Sequence, residues 1–125
     1  MKLNSLRYTH DEISRRFWHG AHAGLRIGDV TNQLLNDELL PTDTSMVLDV
    51  VQHHGFYRSL NNKHLDALKR VQEALHPKWM QHHFECTVRV WPLSHCVHMH
   101  GKAVVDKLCD VTSTRNGGRS VPRPR

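Results

Sequence analysis

The chain has 125 residues, room for one domain with a modest core, and its 17 Lys/Arg against 12 Asp/Glu leave a net charge of +5. No apolar run approaches membrane-spanning length, and the opening MKLNSLRYTH lacks the hydrophobic stretch of a secretory signal. Cys86, Cys96 and Cys109 are odd in number and show no paired spacing, so they suit a reducing compartment rather than a disulfide framework. The expectation is an intracellular protein, cytoplasmic or nuclear, not secreted and with no membrane partner.

In chain order, Thr9 and Glu12 have capping-box spacing, which predicts a short helix through Phe17. Gly20, Gly24 and Gly28 then interrupt regular structure. Val30, Leu34, Leu35 and Leu39 predict a second helix ending before Pro41. Val47, Leu48, Val50 and Val51 form a strand-like run, His54-Gly55 supplies a tight turn, and Phe56–Leu60 resumes an extended pattern. Asn61 and Asn62 are expected to cap the next helix, because an Asn side-chain oxygen can accept a first-turn N–H. Along that helix Leu65, Leu68, Val71 and Leu75 make an apolar stripe, with Lys63, Asp66, Lys69, Arg70 and Glu73 off it, and Pro77 stops it. A strand is expected over residues 86–91. Val97, Gly101, Val104, Val105 and Leu108 predict a last helix, with Ser94 as its N-cap.

The charge is unevenly placed. Residues 112–125, TSTRNGGRSVPRPR, hold Arg115, Arg119, Arg123 and Arg125 and no acid, leaving 13 Lys/Arg against 12 Asp/Glu in the rest. The tail, rich in Gly, Pro and Ser, reads as a disordered basic segment that could hold nucleic acid or an acidic protein by charge alone, or simply solubilise the chain. The organisation is then an α+β domain over residues 1–111, with a small mixed β-sheet flanked by helices, followed by a flexible tail.

Leu60-Asn61-Asn62-Lys63-His64-Leu65-Asp66-Ala67-Leu68 resembles the box shared by ParB-type nucleotide-binding domains and sulfiredoxins. There, an apolar strand end leads through a glycine and a basic pair into a helix with Leu and Ala on its buried side. Asn61 takes the glycine's place, Lys63 and His64 the basic pair, and Cys86–Pro92 falls where the family has its next strand. The resemblance covers roughly residues 42–93. It implies a ParB/sulfiredoxin-like fold and a phosphate-bearing ligand, a nucleic acid or a nucleotide with magnesium. Asn62 stands where sulfiredoxins carry their catalytic cysteine, which removes that chemistry from this position.

The first candidate site is therefore the strand–loop–helix junction, where Asn61, Asn62, Lys63 and His64 meet the positive helix end and Arg58 projects from the preceding strand. Arg15, Arg16 and Arg89, with the tail arginines, are candidate nucleic-acid contacts. Arg15 and Arg16 open a basic–aromatic run with Phe17 and Trp18, whose rings are expected to pack the first helix onto the sheet. The densest of the chain's twelve histidines lie around Cys96, His98 and His100. These, with His82 or His83, are an alternative zinc set, but no recognised zinc spacing is present and surface histidines without metal fit better. No catalytic constellation stands out, and Cys86 suits a buried structural thiol. The expectation is phosphate-ligand binding without catalysis. The alternatives are a nuclease or nucleotide hydrolase using the same pocket, and a protein-interaction module whose pocket is vestigial.

Overall fold

A computed structural model describes residues 1–8, 16–17, 20–53, 55–75 and 79–92. Residues 9–15 of the helix expected through Phe17, the helix after Ser94, the Cys96–His98–His100 cluster, Arg15, Trp18 and the whole tail lie outside these residues.

The described chain is an α+β arrangement: strand β1 (Leu6–Tyr8), helix α1 (Ile27–Leu35), strands β2 (Leu48–His53) and β3 (Phe56–Ser59), helices α2 (Asn62–Ala74) and α3 (Trp79–His82), and strand β4 (Val88–Trp91). The four strands make one mixed sheet in the order β1-β3-β2-β4. β2 and β3 form an antiparallel hairpin with Val50 opposite Ser59 and His53 opposite Phe56. β1 joins β3 in parallel, and β4 joins β2 in parallel with Leu48 opposite Val88. Gly55 turns the hairpin at φ +78°, a left-handed conformation that costs glycine little.

One sheet face carries the core. Leu6, Tyr8, Leu48 and Val50 from the strands meet Ile27, Val30 and Leu34 of α1 and Leu65, Ala67, Leu68 and Val71 of α2, all buried. Helix α1 packs directly on α2. Burial of this kind contributes about 25 cal/mol per Å² of apolar surface removed from water, and it fixes α2, with its first turn, on the sheet.

Two local expectations are corrected, and Asp66 takes an unexpected place. Phe17 does not end a helix: Arg16 bridges Arg26 in antiparallel fashion, the Phe17 N–H donates to the Leu25 carbonyl at 2.9 Å, and Gly24 N–H donates back to Phe17 at 2.8 Å. Helix α1 ends before Pro41 as expected, but it includes Gly28 and stops at Leu35, leaving Leu39 outside, where the chain turns through Asp37 at φ +59°. Asp66 lies off the apolar stripe yet is fully buried, since Tyr8 Oη donates to it at 3.0 Å and Arg70 Nε at 2.9 Å. A buried carboxylate is tolerable only with such donors.

Candidate functional site: the start of helix α2

The junction expected at residues 60–64 is where the sequence places it, but its side chains are used differently. Asn61 precedes the helix with φ −115° and ψ 66° and makes no side-chain cap. Its Oδ1 instead accepts the backbone N–H of Asp49 in β2 at 2.6 Å, and its own N–H donates to Ser59 Oγ at 3.0 Å. The capping expectation for Asn61 is thus overturned by a longer-range bond to the sheet. Since φ is negative, no glycine is needed there. Asn62 is buried as the first residue of α2.

Lys63 reaches across to donate to the main-chain carbonyl of Arg16 at 2.7 Å, and burial lowers its ammonium below the ordinary lysine value. Arg16 in turn donates from Nη1 to the Gly24 carbonyl at 3.0 Å. Both bonds are on the exposed surface. Lys63 and the Arg16 segment therefore meet at the helix start.

His64 is the surprise of the site. Its ring meets the Phe17 ring edge-on at 4.6 Å and lies 5.6 Å from the His22 ring. Burial above all, then His22 and Lys63, depress it to about 4. At neutral pH it is an uncharged aromatic wall, so the basic pair in the sequence supplies one cation.

Arg58 does not project into this junction. It is 3% exposed and donates from Nη1 to the Tyr8 carbonyl at 3.0 Å, tying β3 to β1. Arg89 belongs to a separate group on β4. Its Nε and the Trp91 Nε1 both donate to Asp49 Oδ1 at 2.8 Å, and its guanidinium lies 5.3 Å from the Trp91 ring centre. Cys86 is buried as expected, just before β4 rather than within it, and burial pushes its thiol up to about 11. His83 packs edge-on to Trp79 at 6.1 Å. Among the described residues no group of three or more His, Cys, Asp or Glu could hold a metal ion. Nor is any described helix long and apolar enough to cross a membrane.

The fold also assembles a chain of polar groups that sequence separation hides. His22, 7% exposed, has Nε2 3.0 Å from Ser45 Oγ, and Ser45 donates to Asp43 Oδ1 from its hydroxyl at 2.7 Å and its N–H at 2.9 Å. These bonds, the backbone one first, hold the Asp43 carboxyl below its usual range. The carboxylate sits on the serine and not on the far ring nitrogen of the histidine. The order is thus the wrong one for a hydrolytic triad, in which the acid orients the base. With the Ser45 proton engaged by Asp43, Nε2 of His22 must be the donor to Ser45 Oγ. The group is a largely exposed brace for the buried His22. Only the Asp43–Ser45 spacing, an Asx-turn pattern, could have signalled part of it.

Comparison with family models, with curated proteins and with solved structures returns no match for this chain.

Proposed function

We propose that this protein is a ParB/sulfiredoxin-like α+β domain that binds a phosphate-bearing ligand, a nucleic acid or a nucleotide, at the start of α2 and performs no chemistry on it. The observation that carries the reading is the first turn of α2. It has no side-chain cap, because Asn61 is committed to Asp49, and no acidic residue, while Lys63 lies there with Arg16 beside it. First-turn amides and the positive helix end favour an anion, and a cation in that turn is slightly unfavourable until one arrives. Lys63 is the primary phosphate contact, Arg16 the second, and the neutral His64 ring forms an apolar flank. Arg115, Arg119, Arg123 and Arg125 add sequence-independent attraction for a polyanion.

The test is a binding titration of the full chain against single-stranded and duplex oligonucleotides and against ATP with magnesium. Changing Lys63 and Arg16 together to Ala is expected to weaken binding by roughly tenfold, the scale of a hydrogen bond to a charged group, with the circular dichroism unchanged. Unaltered affinity for every phosphate ligand would remove the reading. Magnesium-dependent cleavage or hydrolysis, lost in the same variant, would move the site to the enzyme class.

A further inference from the structure

Phe17 and the described stretch 20–25 are tied together by the reciprocal bonds of Phe17 with Leu25 and Gly24, and this is the segment that meets α2. It rests on α2 through rings. Phe17 and His22, 5.7 Å apart, both face His64, and Lys63 adds its bond to the Arg16 carbonyl. Phe17 is 3% exposed, so the contact seals an edge of the core.

The two imidazoles differ in what a proton does to them. Nε2 of His22 donates to Ser45 in the neutral ring, so a second proton on Nδ1 leaves that bond in place. It also adds attraction to the Asp43 carboxylate behind the serine. Among the described residues His64 has no such support. The described groups that face it are the Phe17 edge, the His22 ring and the Lys63 ammonium, with Arg16 just beyond. The nearest acid on its own helix, Asp66, is engaged by Tyr8 and Arg70. A charge on His64 would be half-buried among an apolar ring and other cations, where repulsion is weakly screened.

We propose that His64 is the trigger of an acid-operated latch: uncharged, it holds the Phe17 and His22 rings against the start of α2, and protonated it drives those rings off the helix. The depressed titration of His64, to about 4, agrees with a latch that is closed at neutral pH and yields in acid. Opening also parts Lys63 from the Arg16 carbonyl. The latch rests on ring packing and stands whether or not the first turn of α2 takes an anion.

The experiment follows histidine ring shifts, the nuclear Overhauser contact between the Phe17 and position-64 rings, and far-ultraviolet circular dichroism of the full chain from pH 7.5 to 3.5. In the wild type the ring contact is expected to vanish in step with the His64 titration while the helical signal persists. In H64F the contact should survive to the acid end, because an aromatic ring remains and nothing there ionises. A wild-type contact that outlasts the His64 titration overturns the latch, as does one lost only together with the helical signal. Equal acid loss in H64F overturns it too. The wild-type titration decides the matter even if H64F does not fold.

Discussion

The Asn61 side-chain oxygen accepts the backbone N–H of Asp49 at 2.6 Å, so the residue that should cap helix α2 fastens the helix to the sheet instead. The same stretch is fastened again where the Leu60 N–H donates to the Asp49 carbonyl at 2.8 Å. Asp49 then extends the connection through its carboxylate to Arg89 and Trp91 of β4. Helix start, central strand and edge strand thus share one residue.

This arrangement predicts an asymmetry at position 61. N61A leaves the part-buried Asp49 N–H without its acceptor and should cost about 1–3 kcal/mol, read as a lower denaturant midpoint. N61D keeps an acceptor and adds a negative charge before the helix, so its midpoint should stay close to wild type. The same charge should repel an anion at the helix start. A midpoint for N61A equal to wild type would show that the bond contributes nothing.

The Asp66–Arg70 and Asp49–Arg89 ion pairs should differ sharply in weight. Asp66 is fully buried and satisfied by Tyr8 and Arg70, whereas the Arg89 side chain is 58% exposed beside Asp49. Y8F should cost about 1 kcal/mol and D66A about 3–5 kcal/mol, because the latter strands buried donors and opens the core. R89A should cost less than about 1 kcal/mol, since water screens an exposed pair. Urea melts of the three variants check the order, and an R89A cost equal to that of D66A would contradict it.

Local chemistry made part of this fold legible. The β-branched run of β2, the turn at Gly55 and the stripe Leu65–Leu68–Val71 each carry a short-range signal, and the hairpin and α2 fall where those signals put them. β1 is three residues long and acquires its role by pairing with β3 fifty residues away, which no periodicity encodes. Arg58 reads in sequence as a strand cation free to face a ligand, yet it is buried and its guanidinium is bonded to the Tyr8 carbonyl. His64 has the sequence of a basic pair and the surroundings of a core residue. Its neighbours Phe17 and His22 arrive from a segment some forty residues earlier, and proximity of that kind decides its charge.

Cys86 should be inert while the chain is folded. Burial raises its thiol from 9.0 to about 11, so at pH 8 the thiolate is about a hundredfold scarcer than in the unfolded chain. In a background carrying C96S and C109S, labelling by a thiol reagent should be slow in buffer and fast in denaturant. The sign of the linkage follows: between pH 9 and about 11 the unfolded chain releases this proton and the folded chain keeps it, so stability falls as pH rises through that window. A folded-state labelling rate equal to that in denaturant would show an accessible thiolate.

The last prediction separates the tail from the domain. Residues 112–125 hold four arginines and no acid, and the rest of the chain is near neutrality. If the tail contributes its affinity by displacing counterions, its deletion should reduce the slope of log affinity against log salt by about three to four for duplex DNA. The double change at Lys63 and Arg16 removes at most two phosphate contacts and should alter the slope by no more than about two. The tail's share should also be indifferent to sequence and vanish at high salt, because it reads charge and no base edge. Identical slopes with and without residues 112–125 would leave the tail as a spacer, and whatever affinity remains would then belong to the start of α2.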